Sequence, residues 1–293
     1  MSDSLYGILK QGLKSPYQFL LDNISEKSQN RLKILKFSLE SLLLHGSSDS
    51  FLYVEIEKNT ECNRRCDYCP NSLFPPGKEY MEMDLFKNII NQLRKMDYKG
   101  WLVTHRYGEP LLDPTIEESL IYVHEHLPKA KVKIYTNGDY LDIETFDRLS
   151  PYVQTFVVTQ HGRTIPDSLR QVLEDPEKNK KIDFQQNLAE KKLMNRGGLV
   201  NVDNLDIIDP CFIGPFRLVI KYNGDVILCC NDYFGDYVFG NVNQEKILDI
   251  WNKPGYKDLR KQLKKGIFKE EICKKCVGQV SAEPILLETL VNK

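Results

Sequence analysis

Three cysteines set close together behind an apolar strand constrain this chain more than any other feature. The run Glu61-Cys62-Asn63-Arg64-Arg65-Cys66-Asp67-Tyr68-Cys69-Pro70 has the spacing C-x3-C-x2-C and follows the alternating segment Phe51-Leu52-Tyr53-Val54-Glu55-Ile56-Glu57. Three clustered thiolates can hold three irons of a cubic 4Fe–4S cluster and leave the fourth iron without a protein ligand, free to bind and reduce a small molecule. Zinc fits poorly, because structural zinc takes four protein ligands, commonly as paired cysteines. His45, the nearest upstream histidine, sits before the strand. A disulfide framework fits poorly as well. No basic segment followed by an apolar stretch opens the chain, and the cytosol keeps thiols reduced.

At 293 residues the chain has room for one large domain and a smaller one. Its 40 basic residues balance 41 acidic ones, with no basic tail or stripe to follow a phosphate backbone, so nucleic acid is not expected as a partner. The lysine-rich stretch at 177–182 reads as a solvated connection. No apolar run is long enough to cross a bilayer, and the expectation is a cytoplasmic protein without a membrane partner. Eight cysteines in such a chain point to metal rather than to disulfides.

Residues 1–50 read as a helical extension, with apolar residues at helical spacing from Arg31 to Leu44 and a break at Gly46-Ser47-Ser48-Asp49-Ser50. From residue 51 strands (51–57, 100–105, 131–136, 153–159) alternate with helices (83–96, 114–126, 143–149). Such alternation predicts parallel pairing in an α/β fold whose chemistry sits at the C-terminal ends of the strands, where the cysteine loop lies. Beyond 160 the pattern weakens to a helix over 163–173, a short strand at 181–185 and a tight Asn195-Arg196-Gly197-Gly198 loop. From 205 the character changes. Two β-rich runs, 216–222 and 226–229, flank Asn223-Gly224, a strong hairpin signal. Helices near 245–251 and 256–265 and the pair Cys273-Lys274-Lys275-Cys276 follow.

Cys211, Cys229, Cys273 and Cys276 form a second set, C-x12-G-x4-C followed after 43 residues by C-x2-C. A hairpin would present two thiolates and a returning helix the other two. Four thiolates can enclose either a zinc ion or a 4Fe–4S cluster, and spacing alone does not choose between them.

Both cysteine patterns resemble those of the radical S-adenosylmethionine (SAM) enzymes. The first, with the aromatic Tyr68 before its third cysteine, resembles the superfamily signature, and the second resembles the auxiliary-cluster domain of the SPASM/Twitch branch. Thiols for a single auxiliary cluster correspond to the Twitch arrangement. The resemblance covers residues 51 to about 280 and implies a partial (β/α)6 barrel over 51–204, a small α+β auxiliary domain over 205–280 and a tail over 281–293. It implies two 4Fe–4S clusters, one binding SAM and one auxiliary.

Further residues gain roles from that likeness. Tyr107-Gly108-Glu109-Pro110 resembles the family's GGEP motif at the SAM amino group, with Tyr107 in place of the first glycine; Glu109 can accept from the ammonium. Thr136-Asn137-Gly138 resembles the T-N-G beside the ribose, although a strand-ending turn would look the same. Thr159, Gln160 and His161 end the fourth strand, where members place polar groups, and His161 is a candidate general base or a structural histidine. Arg196 is a candidate for the SAM carboxylate or for an anionic or hydroxylated substrate, against a surface arginine. Cys230 is either a buried thiol beside a ligand or a hydrogen-atom donor or proton acceptor near substrate. If Cys229 faces a metal, its neighbour points the other way, which argues against the chemical role.

The resemblance implies reductive cleavage of SAM to a 5′-deoxyadenosyl radical, hydrogen-atom abstraction, and passage of the substrate electron to the auxiliary cluster. The implied substrate is a small molecule, a secondary alcohol of a sugar or aminocyclitol, with a flavodoxin- or ferredoxin-type reductant. A peptide-modifying maturase and a non-catalytic metal scaffold are the alternatives.

Overall fold

Alternating strands and helices build one eight-stranded sheet in the order β5-β4-β3-β2-β1-β6-β7-β8. The computed structural model describes residues 24–161, 164–186 and 192–281; residues 1–23 of the expected extension, the start of the helix expected from Arg163 and the tail beyond 281 lie outside them. The strands are β1 (Tyr53–Ile56), β2 (Trp101–Val103), β3 (Lys131–Thr136), β4 (Thr155–Thr159), β5 (Ile182–Gln185), β6 (Arg217–Ile220), β7 (Asp225–Ile227) and β8 (Val238–Asn241). The helices are α1 (Glu26–His45), α2 (Met83–Lys95), α3 (Ile116–His126), α4 (Ile143–Leu149), α5 (Asp167–Glu174), α6 (Pro176–Asn179), α7 (Ile247–Trp251), α8 (Pro254–Lys264) and α9 (Glu271–Cys276).

Strands β1 to β5 pair in succession and in parallel, as helical crossovers require. The next parallel strand does not extend that series beyond β5. It is β6, the first arm of the predicted hairpin, which pairs with the opposite edge of β1 (Tyr53↔Arg217, Ile56↔Ile220). β7 and β8 then continue antiparallel. The segment expected to form the small auxiliary domain thus adds three strands to the same sheet. The Asn223-Gly224 turn closes as expected, with Gly224 at φ 92.

Val54, Ile56, Leu102, Ile134, Phe156, Val158, Leu218 and Ile220 face the helices in one apolar core. Helix α2 shows why it docks there. Phe86, Ile89, Ile90 and Leu93 repeat at helical spacing and are all buried, while Asp84 starts the helix and Arg94 and Lys95 end it in favourable register with its dipole. Truncating a wholly buried ring such as Phe156 to alanine would cost about 3–5 kcal/mol. The other face of β1 is polar. Tyr53, Glu55 and Glu57 alternate with Val54 and Ile56, and Glu55 accepts from Arg217 on β6 at 2.6 Å.

Candidate active site

The loop carrying Cys62, Cys66 and Cys69 is held at the C-terminal end of β1 by its neighbours. Glu109 N–H donates to the Glu61 carbonyl at 2.7 Å, and Asn59 Nδ2 donates to the Glu109 carbonyl at 3.0 Å. Only glycine permits this approach at position 108, because a Cβ there would lie 2.4 Å from the Asn59 carbonyl oxygen. The residues between Cys62 and Cys66 are tied to the turn after β3. Arg64 grips the Asp139 carboxylate with Nε (2.7 Å) and Nη2 (2.5 Å), and Asn63 Nδ2 joins it at 2.7 Å. Asn137 Nδ2 donates to Asn63 Oδ1 at 2.8 Å. Those hydrogen bonds from Arg64 hold the Asp139 carboxyl below the usual aspartate range.

A cavity of about 230 Å³ opens among these loops. Cys62, Cys66 and Cys69 line it together with the expected residues Tyr68, Gly108, Glu109, Asn137, Thr159, His161, Arg196 and Cys230. Pro110 and Gln160 stand outside its wall. Pro110 instead begins a short turn behind Glu109, and Gln160 N–H donates to the Gln185 carbonyl at 3.0 Å.

Glu109 is engaged on both oxygens. The Thr136 hydroxyl (2.6 Å) and Leu111 N–H (3.1 Å) donate to Oε1, and Asn137 N–H donates to Oε2 at 2.9 Å. Burial pushes its carboxyl up to about 7, and these donors restrain the rise. The T-N-G turn therefore acts first as a partner of Glu109. The Tyr68 hydroxyl contacts His161 Nδ1, and the two rings stack at 5.7 Å. Burial and the Arg64 charge lower His161 to about 4, so its imidazole is neutral near pH 7. That shift removes the expectation that it titrates near neutrality.

Arg196 projects from a loop docked on α9. Asn195 Nδ2 donates to the Lys275 carbonyl at 2.9 Å, Arg196 itself takes φ 53, and Gly197 leaves no room for a Cβ against Ile272. Its Nε is enclosed with no hydrogen-bond partner. A buried guanidinium nitrogen without a hydrogen-bond partner at a cavity wall suits an anion or a hydroxyl group from a ligand.

Cys211, Cys229, Cys273 and Cys276 line a second, smaller cavity whose remaining wall is chiefly apolar, including Leu228, Leu263, Phe268 and Val277. Burial pushes all four thiols up. A bound cluster would take them as thiolates and release their protons. Asn231 Nδ2 lies 3.4 Å from Cys276 Sγ as a donor to that sulfur. Cys229 and Cys230 do point to opposite sides, as strand-like alternation requires, but the side reached by Cys230 is the first cavity. The geometry expected to argue against a chemical role for Cys230 therefore places its thiol at the wall of the candidate active site.

Sequence reasoning passed over several wall residues. His105, Arg106 and Tyr135 line the same cavity; His105 Nδ1 is enclosed without a partner, and burial lowers its ring to about 4. A signal was present in the strand pattern. Central parallel strands are usually continuous apolar runs, so Glu55 in β1 and Glu57 just beyond its end mark a polar side of the sheet there.

A SAM-dependent radical enzyme is the class that this fold and its two cysteine-lined cavities define. Residues 56–185 match the Radical SAM superfamily, and residues 211–277 match SPASM, an iron–sulfur cluster-binding domain. A relative, the S-adenosyl-L-methionine-dependent 2-deoxy-scyllo-inosamine dehydrogenase of Niallia circulans, is 35% identical over 240 residues, covering 77% of this chain and 92% of its own length. The crystal structure of BtrN in complex with AdoMet and 2-DOIA superimposes with a TM-score of 0.71 at 32% identity, covering 80% of this chain and 95% of that one. The structure of anSMEcpe with bound AdoMet shares the fold at 14% identity and a TM-score of 0.52, covering 78% and 86%. The chain belongs to the radical SAM superfamily and is an oxidoreductase of that family, with SAM and iron–sulfur clusters as its cofactors. No helix among the described residues is long and apolar enough to cross a membrane.

Proposed function

We propose that this chain oxidises a secondary alcohol of a sugar or aminocyclitol to a ketone. Cys62, Cys66 and Cys69 hold one 4Fe–4S cluster, and Cys211, Cys229, Cys273 and Cys276, in the unit spanning 205–280, hold a second. Both donor sets suit such groups: three thiols line the larger cavity, whose wall also carries polar and charged side chains, and four line a smaller, chiefly apolar one. When bound, SAM and a reduced cluster at the three-cysteine set would supply hydrogen-atom abstraction from the alcohol carbon, and an oxidised cluster at the four-cysteine set would accept the electron that leaves, with a proton, as the ketone forms.

The protein contributes position and exclusion of water. Glu109 Oε2, which takes one backbone donor, accepts from the SAM ammonium group. Asn137 and Thr159 line the wall where a ribose fits, and Tyr68 with His161 closes the side beside Cys69. The Arg196 guanidinium group binds a hydroxyl or carboxylate oxygen, and Cys230 and Tyr107 wall the substrate end. The reductant is a flavodoxin- or ferredoxin-type donor, and the compartment is the cytoplasm.

One observation carries the oxidative reading. Adjacent residues Cys229 and Cys230 line the two different cavities, so the peptide unit between them is shared by the wall of the substrate space and the auxiliary cysteine set. An electron leaving substrate has its acceptor next door. The test is anaerobic incubation of reconstituted protein with SAM, reductant and 2-deoxy-scyllo-inosamine. Equal amounts of 5′-deoxyadenosine and amino ketone are expected, with ketone lost and 5′-deoxyadenosine kept in a Cys273→Ala/Cys276→Ala variant. Absence of 5′-deoxyadenosine, or ketone formation undiminished in that variant, would overturn the reading.

A further inference from the structure

The segment after Cys229 is fastened to the barrel by Arg106 and Tyr107 of the loop after β2. Arg106, on the loop after β2, pairs through Nε with Glu57 Oε1 at 3.0 Å, and both side chains are buried. Its remaining nitrogens donate to main chain: Nη1 to the Asp232 carbonyl at 3.2 Å and Nη2 to the Tyr233 carbonyl at 2.5 Å. The Tyr107 hydroxyl donates to the Cys230 carbonyl at 2.8 Å. Carbonyls of three residues within four of Cys229 are thus held by donors of the barrel.

The segment reaches back in turn. The Tyr233 hydroxyl donates to the Phe74 carbonyl at 2.5 Å and lies 3.0 Å from Asn71 Oδ1. Asn71 Nδ2 donates to the Tyr107 carbonyl at 3.0 Å, and the Tyr107 and Tyr233 rings meet edge to face at 4.8 Å. Asn71 is wholly buried and stands two residues beyond Cys69. The ring of bonds therefore joins three loops, one leaving each cysteine set and one following β2.

A buried ion pair is a costly way to fill space, since apolar side chains of similar volume often serve stability as well. What apolar groups do not provide is a planar fork of donors that sets where carbonyls lie. The bonds end on the backbone of residues next to candidate cluster ligands, so they constrain where those ligands stand.

We propose that Arg106 and Tyr233 are positioning residues that fix the separation and orientation of the two cysteine sets, and with them the electron path from the substrate space to the auxiliary site. This rests on the reading that each set holds a cluster. The test is the EPR spectrum of the reconstituted, doubly reduced protein, in which two nearby paramagnets split or broaden each other's signals. Wild type, Tyr233→Phe and Arg106→Met are compared at equal iron content.

Tyr233→Phe keeps the ring and removes only the hydroxyl bonds. The expected result is a defined interaction in wild type that becomes weaker and more heterogeneous in both variants. Amide exchange over 230–234 is expected to rise about fivefold in Tyr233→Phe, the effect of one ordinary hydrogen bond. An EPR interaction identical to wild type in Tyr233→Phe overturns the proposal, and that variant decides the matter if Arg106→Met fails to fold. A wild type that takes up no second cluster overturns the two-cluster reading itself, and the proposal with it.

Discussion

Cys229 and Cys230 are neighbours in the chain, yet their side chains line different cavities: Cys229 that of the four-cysteine set, Cys230 that of the three-cysteine set. If only the first is a ligand, Cys229→Ala lowers iron from about eight to about four per chain after reconstitution, whereas Cys230→Ala leaves it at about eight. Iron and acid-labile sulfide assays on both variants check this. Iron loss in Cys230→Ala would make it a ligand and displace the assignment.

The Arg64–Asp139 clamp predicts a positioning effect on the first set. Asp139→Asn removes the charge that Arg64 grips at 2.5 and 2.7 Å. Loss of such an outer partner is expected to weaken cluster retention about tenfold to a hundredfold. Iron remaining after a chelator challenge measures it, with the four-cysteine set unaffected. Because the Asp139 carboxyl is depressed, its contribution is present above the ordinary aspartate value of about 3.9 and is lost as pH falls through the lower folded value. The clamp is therefore insensitive to pH from 5 upward.

Glu109 has the opposite sign. Its carboxyl is raised to about 7, so the stability it contributes is present below its ordinary range and is lost as pH rises through 7. If Glu109 accepts from the SAM ammonium group as proposed, the ionised form is required, and SAM affinity is expected to increase as pH rises through 7. Glu109→Gln should abolish that dependence and raise the Kd for SAM about tenfold to a hundredfold, the loss of one charge-assisted hydrogen bond of about 1.5–3 kcal/mol. Calorimetric titration of the reconstituted protein at several pH values decides it.

His161 is lowered to about 4 and contacts the Tyr68 hydroxyl through Nδ1, which makes it a hydrogen-bond partner and a poor base at pH 7. His161→Gln should therefore retain activity within about tenfold, because removing a working general base costs about a hundredfold or more. The comparison is of turnover in wild type and variant between pH 5.5 and 8.5. A deficit of a hundredfold would restore the catalytic role.

Much of the architecture was legible from local pattern. Strands β1 to β5 and helices α2 to α4 fall where alternating and helical periodicities put them, and the cysteine loop follows β1 as the alternation implied. The Asn223-Gly224 hairpin was also plain, since a turn of this kind is set by a few adjacent residues. Its sheet partner was not, because β6 joins β1 across more than 160 residues and no local pattern specifies that edge.

The division within the candidate site follows the same physics. Residue type and spacing marked Cys62, Cys66 and Cys69 as one candidate ligand set and Glu109 as a candidate carboxylate for the same site, because thiol chemistry and short-range spacing are properties of the chain itself; the structure lines one cavity with all four. Only the tertiary structure decided what Cys230, His105, Arg106 and Arg196 face. Their surroundings come from segments distant in sequence, such as the contact of the Asn195–Gly198 loop with α9 and the donation of Arg106 to the Asp232 and Tyr233 carbonyls. Burial likewise turned His161 from a group expected to titrate near neutrality into a neutral one, since the cost of charging a ring depends on everything packed around it.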